Sequence, residues 1–577
     1  MAIATMCRQN RRAYLKKRSK WFRTLVRQRF FIILLLFLQL VFIIFFLADQ
    51  SQASVIIKWT LQVISFFVAL HIIAKRDKGA YKLTWVFTIL VFPIFGGLLY
   101  LLFRYQTRSK KLRIRMNRIT NITRPAALLP GDKYELAIKS PASSDAGTYG
   151  PETPASFAGK QTSDFAPEAL SPYYEVWQIG DRYEHATANT PSHARQIQYL
   201  DKFAGFPVYE NTRTKYISPG EKIWEMLLSE LEKAKSYIFV EFFIIEEGVM
   251  WNSILDILKR KVAQGVDVRI IYDDIGCFLR LPKDYPKTLK QYGIQCIVFN
   301  KFKPLLTATQ NCRDHRKIIS IDGKVAFTGG FNLADEYINA IHPFGHWKDA
   351  GVLLEGEAAW SMTLIFLQMW MMNGHTEDDI TKYYPWKDSP CPIVKNDSWV
   401  QPYADAPYDA ENVSEHVYLQ IINTAKHYLY INTPYLIVDD SMISALSLAA
   451  KSGVDVRIVT PFRWDKRVVH FTTRSYYREL IRAGVKIYEY SKGFIHSKTF
   501  VSDDTVATIG TANLDFRSLY LQFECGVWMY KSEAVTELRD DFLKTLEMCH
   551  EIREEECHGN MVTRFLQDLL RLFAPLM

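Results

Sequence analysis

Two stretches of this chain repeat one another at a fixed distance, and that repeat limits the folds open to it more than any other feature. "RDHRKIISIDGKVAFTGGFN" (313–332) carries His315, Lys317, Asp322, Gly329 and Asn332, and "FIHSKTFVSDDTVATIGTAN" (494–513) carries His496, Lys498, Asp503, Gly510 and Asn513. Each matched pair is 181 positions apart; chance does not keep five residue types at five spacings. The flanking pattern repeats too. "KSYIFVEFFII" (235–245) reads as a buried strand, "MWNSILDILKRKVAQ" (250–264) as an amphipathic helix and "GVDVRIIYDD" (265–274) as a second strand. The series returns as "KHYLYINTPYLI" (426–437), "SMISALSLAAKS" (441–452) and "GVDVRIVTPF" (453–462), and "GIQCIVFN" (293–300) corresponds to "GVKIYEY" (484–490). Strand, helix, strand in each half implies parallel βαβ units, hence an α/β protein of two lobes related by a pseudo-two-fold axis and sharing one cleft. The period is too long for a solenoid, whose repeats run roughly 20 to 50 residues.

Alternation along a strand sends the His and Lys of each motif to the same side. Each lobe then offers the cleft one imidazole and one ammonium. A phosphodiester suits such a site, because its oxygens gain negative charge as phosphorus becomes five-coordinate. Lys317 and Lys498, with the amides of Asn332 and Asn513, would stabilise that charge. No metal or other cofactor is then required. One histidine attacks phosphorus while the other protonates the departing alkoxide, since imidazole serves as nucleophile, acid or base near neutrality. The candidate catalytic set is therefore His315, Lys317, Asp322, His496, Lys498 and Asp503, with Asp322 and Asp503 given structural roles in the turn after each strand. Each imidazole should have a carboxylate that fixes its tautomer. Asp349 in "HWKDAGVLLEG" and Glu524 in "LQFECGVWMY" occupy like places, and the sequence leaves open which serves which histidine.

The front of the chain is different material. "FFIILLLFLQLVFIIFFLA" (30–48) has only Gln39 as a polar residue and is long enough to cross hydrocarbon. Without a small-residue cleavage site it reads as an anchor and not a removable signal. Val55 to Ala74 and Leu83 to Phe103 are further, weaker candidates for transmembrane helices. Residues 140–170 are rich in Ser, Ala, Pro, Thr and Gly without periodicity, which marks a linker. The expected domains are a basic, membrane-anchoring part (1–118), a linker (119–197), a first lobe (198–390) and a second lobe (391–577).

The net charge of +10 points to nucleic acid only until it is located. Residues 1–29 carry ten Lys/Arg and no acid, residues 30–103 five against two, and residues 104–118 seven and none, so that taking +10, +3 and +7 from the net +10 leaves −10 for residues 119–577. The basic character flanks the membrane segments, where it suits an anionic membrane surface, and a nucleic-acid partner is not expected. An even number of crossings places both basic flanks on the cytoplasmic face of a multi-pass protein of the cell membrane, with the lobes on that side. The eight cysteines form no C-x-x-C pair, so neither a disulfide framework nor a zinc ribbon is indicated. Cys549-His550 and Cys557-His558 read as parts of a charged helix and its end rather than as metal ligands. The last stretch, 562–577, reads as a core helix in preference to one dipping into the membrane interface.

The H-x-K-x4-D pattern with its trailing G-x-x-N, present twice, resembles the signature of the phospholipase D superfamily. The wider context, "DHRKI", "FTGGFNLADEYIN", "FGHWKDAGV", "FIHSKTFV" and "TANLDFRSL" together with "FPIFGGLLYLLFR", is similar to bacterial cardiolipin synthases of the phospholipase D type. The resemblance implies two phospholipase D-like lobes with mixed sheets flanked by helices. It implies transesterification: one phosphatidylglycerol gives its phosphatidyl group to a histidine, glycerol leaves, and a second phosphatidylglycerol accepts it to give cardiolipin. It also implies His315 as nucleophile and His496 as acid and base. A hydrolytic phospholipase D, or a transferase with another alcohol acceptor, would carry the same motif. The sequence leaves a homo-oligomer open.

Overall fold

The structure is a computed structural model. It describes residues 51–75, 78–92, 107–128 and 180–576, apart from 303–309, 375–378, 395–397 and 408–410, together with the single positions 41, 97 and 100. The chain divides into two compact units, Met1–Thr107 with Phe302–Asn311, and Arg108–Lys301 with Cys312–Met577.

In the first unit, helices Gln52–Ala74 and Gly79–Val91 meet through Ile72, Ile89 and Tyr100, and the Lys75 ammonium donates to the Tyr100 hydroxyl. The longer helix turns Ile56, Trp59, Ile64, Phe66, Phe67 and Ile73 outward. No helix among the described residues is long and apolar enough to cross a membrane. The expected anchor 30–48 lies outside them except for Val41, and Leu83 to Phe103 is described only in part.

The second unit holds both lobes. The first has strands β1 (Thr212–Ile217), β2 (Tyr237–Phe242), β3 (Asp267–Asp273), β4 (Gln295–Phe299), β5 (Arg313–Asp314), β6 (Lys317–Ile321), β7 (Val325–Gly329), β8 (His346–Lys348) and β9 (Gly351–Gly356). Among the described residues seven of them form one sheet in the order β1-β9-β7-β6-β2-β3-β4. The second lobe has β10 (Trp399–Asp405), β11 (Tyr428–Asn432), β12 (Leu436–Ile437), β13 (Asp455–Pro461), β14 (Lys486–Tyr490), β15 (Gly493–Ile495), β16 (Thr499–Ser502), β17 (Val506–Gly510), β18 (Leu514–Asp515), β19 (Gln522–Tyr530) and β20 (Cys549–Ile552). Its main path, β10-β19-β17-β16-β11-β13-β14-β20, repeats the first with β20 added at the edge. In each lobe a parallel βαβ unit is joined to an antiparallel meander: β2 pairs parallel with β3 and antiparallel with β6, and β11 pairs parallel with β13 and antiparallel with β16. The crossover helices are Val249–Ala263 and Asp440–Lys451, each burying one face on its sheet as the 3.6-residue spacing of Ile254, Leu258 and of Met442, Leu446, Ala449 requires.

The stretch expected to be a linker, 119–197, is helical at both ends. Helix Thr107–Leu128 buries Met116, Ile119 and Ala126 with Trp360 and Leu364 of the first lobe. Helix Ala194–Gln198 buries Gln196, whose amide donates to the Val417 carbonyl at 3.1 Å. Residues 129–179 lie outside the description.

Two expectations are corrected. The helix Met561–Leu572 buries none of its side chains and leaves Met561, Val562, Phe565 and Leu566 exposed, so it is a surface helix and not a core one. It is tied to the helix Arg467–Arg482 by Arg571, which bonds Glu479 at 2.9 Å and lies over the Tyr476 ring. Cys549 and His550 sit on β20, whose antiparallel pairing with β14 overrides the local helical pattern.

Candidate active site

Both motifs enter the sheet the same way. Lys317 opens β6 and Lys498 directly precedes β16, so each histidine stands just outside the ladder at the strand's entry. There each histidine is gripped by the opposite lobe. β5 pairs parallel with the start of β19, setting Asp314 beside Phe523, and the His315 N–H donates to the Phe523 carbonyl at 2.9 Å. β15 pairs parallel with β8, setting Ile495 beside Lys348, and the His496 N–H donates to the Lys348 carbonyl at 2.8 Å. One step further along each pair stands the carboxylate. Nδ1 of His315 lies 2.9 and 3.0 Å from the oxygens of Glu524, and Nδ1 of His496 lies 2.8 Å from Asp349 Oδ2. The histidine of each lobe is therefore served by the carboxylate of the other. Both carboxylates are fully buried whereas both imidazoles keep 9% of their side-chain surface, so the rings and not the acids reach solvent. With Nδ1 committed to a carboxylate, Nε2 is the nitrogen available to substrate.

The lysines are buried, each against the backbone of its own motif's histidine. Lys317 Nζ donates to the His315 carbonyl at 2.6 Å, and Lys498 Nζ to the His496 carbonyl. Burial draws Lys317 down to about 8 and Lys498 down to about 7. Burial, then Lys317 and Lys498, hold His315 well below its usual range, and burial with Lys498 draws His496 down to about 3 against the opposing pull of Asp349. Burial also raises Asp349, but His496 and Lys498 outweigh it and keep that carboxyl below its usual range. For Glu524 burial prevails over Lys317 and lifts it to about 7. The site thus holds neutral imidazoles beside cations that gain stability when an anion arrives.

An oxyanion bound here restores the charge that burial disfavours, so its binding is linked to protonation of the lysines. Well below pH 7 both are protonated and affinity is flat; as pH rises through about 7 the anion must recruit a proton to Lys498, and through about 8 one to Lys317 as well. Tungstate, measured by calorimetry on the full-length protein, is expected to bind at least about tenfold more weakly at pH 9 than at pH 6.5. Equal affinities at the two values would contradict these lysine shifts.

The remaining candidates divide. Asn332 lies in the site with its amide already engaged: Oδ1 accepts from the Ile244 N–H at 3.1 Å, and Nδ2 donates to the Tyr337 hydroxyl at 2.6 Å. Asn513 donates to Asp515 at 2.9 Å, while its Oδ1 is buried without a partner. Asp322 and Asp503 sit at the far ends of their strands with φ of 53° and 55°. Asp322 accepts from the N–H groups of Lys235, Ser236 and Tyr237, and Asp503 from those of Lys426, His427 and Tyr428. Each carboxylate clamps the start of the adjacent central strand. Asp503→Ala is expected to cost roughly 2–3 kcal/mol in thermal or urea unfolding, the loss of charge-assisted hydrogen bonds, with turnover per folded molecule kept within a few-fold. A loss of turnover comparable to that of a histidine variant would instead assign Asp503 to the chemistry.

Several participants escaped sequence reading. Thr511 donates its hydroxyl to Glu524, and Gly330 stands at the corresponding place in the first lobe. A Cβ on Gly330 would fall 2.2 Å from Asp349 Oδ1 and 2.8 Å from the His496 carbonyl, so only glycine fits. Trp347 Nε1 donates to Asp349 Oδ2 at 3.3 Å. Arg316, fully buried, donates to the carbonyls of Glu524 and Asp405, both at 3.2 Å, and so fastens the first motif to the second lobe. Its place between His315 and Lys317 was the only signal for it.

A family model described as "cardiolipin synthase, PLD-like domain" matches residues 227–356 and again 418–546, one match in each lobe. A second, described as "phospholipase D-nuclease N-terminal", matches residues 63–104. An uncharacterized protein of Streptococcus mutans is 43% identical over 412 residues, 71% of this chain and 88% of that one. A cardiolipin synthase of Halalkalibacterium halodurans is 33% identical over 514 residues, 89% of this chain and 92% of that one. Among solved structures, a phosphatidylserine synthase of Haemophilus influenzae superposes with a TM-score of 0.50 at 14% identity, covering 66% of this chain and 97% of that one, which is a likeness of fold.

Proposed function

The chain belongs to the cardiolipin synthase family of phospholipase D-like enzymes, and from that premise we propose that it joins two phosphatidylglycerol molecules into cardiolipin and glycerol. The single observation that carries the reading is the pair of imidazoles, each with Nδ1 held by a buried carboxylate of the opposite lobe and Nε2 left for a substrate.

His315 Nε2 attacks the lipid phosphorus. The negative charge of the bound phosphodiester lets His496, neutral before substrate binds, take up a proton from solvent. As the P–N bond forms, the P–O bond to glycerol breaks, and His496 gives the leaving alkoxide that proton. His496, now neutral, takes a proton from the hydroxyl of a second phosphatidylglycerol, whose oxygen displaces His315 from phosphorus. Lys317 and Lys498 hold the phosphoryl oxygens through both steps. His496 suits the proton-carrying role because Asp349 stays ionised and stabilises an imidazolium. Burial and neighbouring cations keep both imidazoles neutral before substrate binds, and His315 suits the nucleophile's role because its partner Glu524, lifted to about 7, offers it less charge to become an imidazolium. Asn332 and Asn513 border the phosphate, and Asp322 and Asp503 brace the strands.

Transfer prevails over hydrolysis where water is scarce and lipid abundant. The hydrophobic N-terminal segments supply the second condition by anchoring the enzyme in the cell membrane. Their basic flanks, and the outward apolar face of helix Gln52–Ala74, fit transmembrane or interfacial seating with the lobes on the cytoplasmic side. The test is incubation of the full-length protein with labelled phosphatidylglycerol. Cardiolipin and free glycerol in equal amounts are expected, and phosphatidic acid as the dominant product would favour a hydrolytic phospholipase D.

A further inference from the structure

The two lobes are near copies, but they do not surround the histidines with the same charge. Four residues past the motif asparagine, the first lobe has Glu336 and the second has Arg517. Glu336 is neutralised by Arg280, 2.8 Å away, which also pairs with Glu246. Arg517 has no carboxylate within ion-pair distance among the described residues, and its Nε is buried without a hydrogen-bond partner. Lys466 is exposed and likewise without an ion pair there. It stands 5.2 Å over the Tyr435 ring.

These two cations share one neighbourhood. Tyr435 leads into β12, which pairs with β18 at Leu436↔Leu514 and Ile437↔Asp515, and Arg517 follows β18 by two residues. Both act on the first motif: Lys466 is the third cation, after Lys317 and Lys498, that depresses the His315 imidazole, and Arg517 adds to the effect of burial on Arg313, two residues before that histidine. Two carboxylates lie in the same neighbourhood, and Lys466 acts on Asp515, but neither acid is within ion-pair distance of Lys466 or Arg517 among the described residues. Asp465 accepts from the Tyr435 hydroxyl at 2.5 Å and the Lys466 N–H at 2.7 Å, and Asp515 accepts from Asn513 at 2.9 Å and the Ser518 N–H at 2.7 Å. Unpaired cations at the rim of a site already supplied with two lysines call for a second anion.

We propose that Lys466 and Arg517 form a second anion subsite, distinct from the reacting phosphate's, which holds the phosphodiester of the acceptor and so selects an alcohol that itself carries a phosphate. The inference rests on the function proposed above and deepens it. The acceptor phosphatidylglycerol docks its own phosphate on the lobe-2 side of the cleft, which brings its free glycerol hydroxyl to His496. That hydroxyl loses its proton there, its oxygen bonds to phosphorus, and the P–N bond to His315 breaks. Water and small neutral alcohols have no anion to place in the subsite, so the same residues favour lipid transfer over hydrolysis.

The experiment uses full-length protein in vesicles of labelled phosphatidylglycerol with excess 1-butanol, reading cardiolipin against phosphatidylbutanol. Lys466→Gln and Arg517→Gln are each expected to lower the cardiolipin-to-phosphatidylbutanol ratio by about tenfold, the loss of one charge-assisted contact, and Arg517→Lys to recover most of it. Lys466 is a surface residue, so its variant tests the subsite even if Arg517→Gln folds poorly. A ratio within about twofold of wild type in both Gln variants, or a parallel fall in both products, overturns the proposal. Wild-type protein that makes phosphatidylbutanol but no cardiolipin contradicts the function proposed above, and the acceptor subsite with it.

Discussion

His315→Ala and His496→Ala are each expected to abolish cardiolipin formation, lowering turnover by roughly 10⁴-fold or more, and the double variant is expected to lie within about threefold of the weaker single one. Nucleophile and proton carrier act in the same two steps, so removing either stops both, and the second removal has nothing left to take away. The folded protein should tolerate these changes, because each ring keeps 9% of its side-chain surface and each backbone N–H remains bonded to the opposite lobe. Circular dichroism and thermal unfolding check that point. Independent, additive losses would mean that the two histidines serve separate sites. The same assay with a chromogenic phosphodiester separates the roles: a substrate with a good leaving group is expected to recover much of the first step in His496→Ala and none in His315→Ala.

The second large effect concerns the carboxylates, and their unequal environments set its size. Asp349 remains ionised, so Asp349→Asn removes a full charge from beneath His496 and disturbs the tautomer that the carboxylate enforces. A loss of about 10³- to 10⁴-fold in kcat is expected, with KM little changed, as for an orienting acid in a catalytic triad. Glu524 is lifted to about 7 by burial, and it therefore carries less charge near neutrality. Glu524→Gln resembles its protonated form and keeps an acceptor for the Thr511 hydroxyl, so its loss is expected to be about tenfold smaller. Equal losses, or a greater one for Glu524→Gln, would contradict the assignment of His496 as the proton carrier.

Much of this was legible in the sequence, for a physical reason. The β2, β3 and β4 strands of the first lobe and their counterparts β11, β13 and β14 are short, apolar and bounded by turns, so local pattern and burial agree. The doubled motif needed only a count along the chain. The pairing of carboxylates with histidines was not legible, because it arises from two short parallel bridges between residues far apart, 313–314 with 522–523 and 346–348 with 493–495. A two-residue strand has no periodicity to read. The strand at Cys549–Ile552 was hidden for a related cause: its conformation is decided by the free edge of β14, which local propensity does not register. Helix Met561–Leu572 shows a wide apolar stripe, yet a stripe tells which face seeks burial and not whether the protein supplies a partner. Within the site, Arg316 and Thr511 were missed because their partners lie in the other lobe or on a neighbouring strand.

The most direct test is a crystal structure of the protein with vanadate, which takes the five-coordinate geometry of a phosphoryl group in transfer. One vanadium atom is expected, with Nε2 of His315 bonded to it at one apex, the opposite apical oxygen within hydrogen-bond reach of Nε2 of His496, and Lys317 and Lys498 on the equatorial oxygens. Two vanadates in separate cavities, or a single one that only one histidine can reach, would contradict a shared reaction centre.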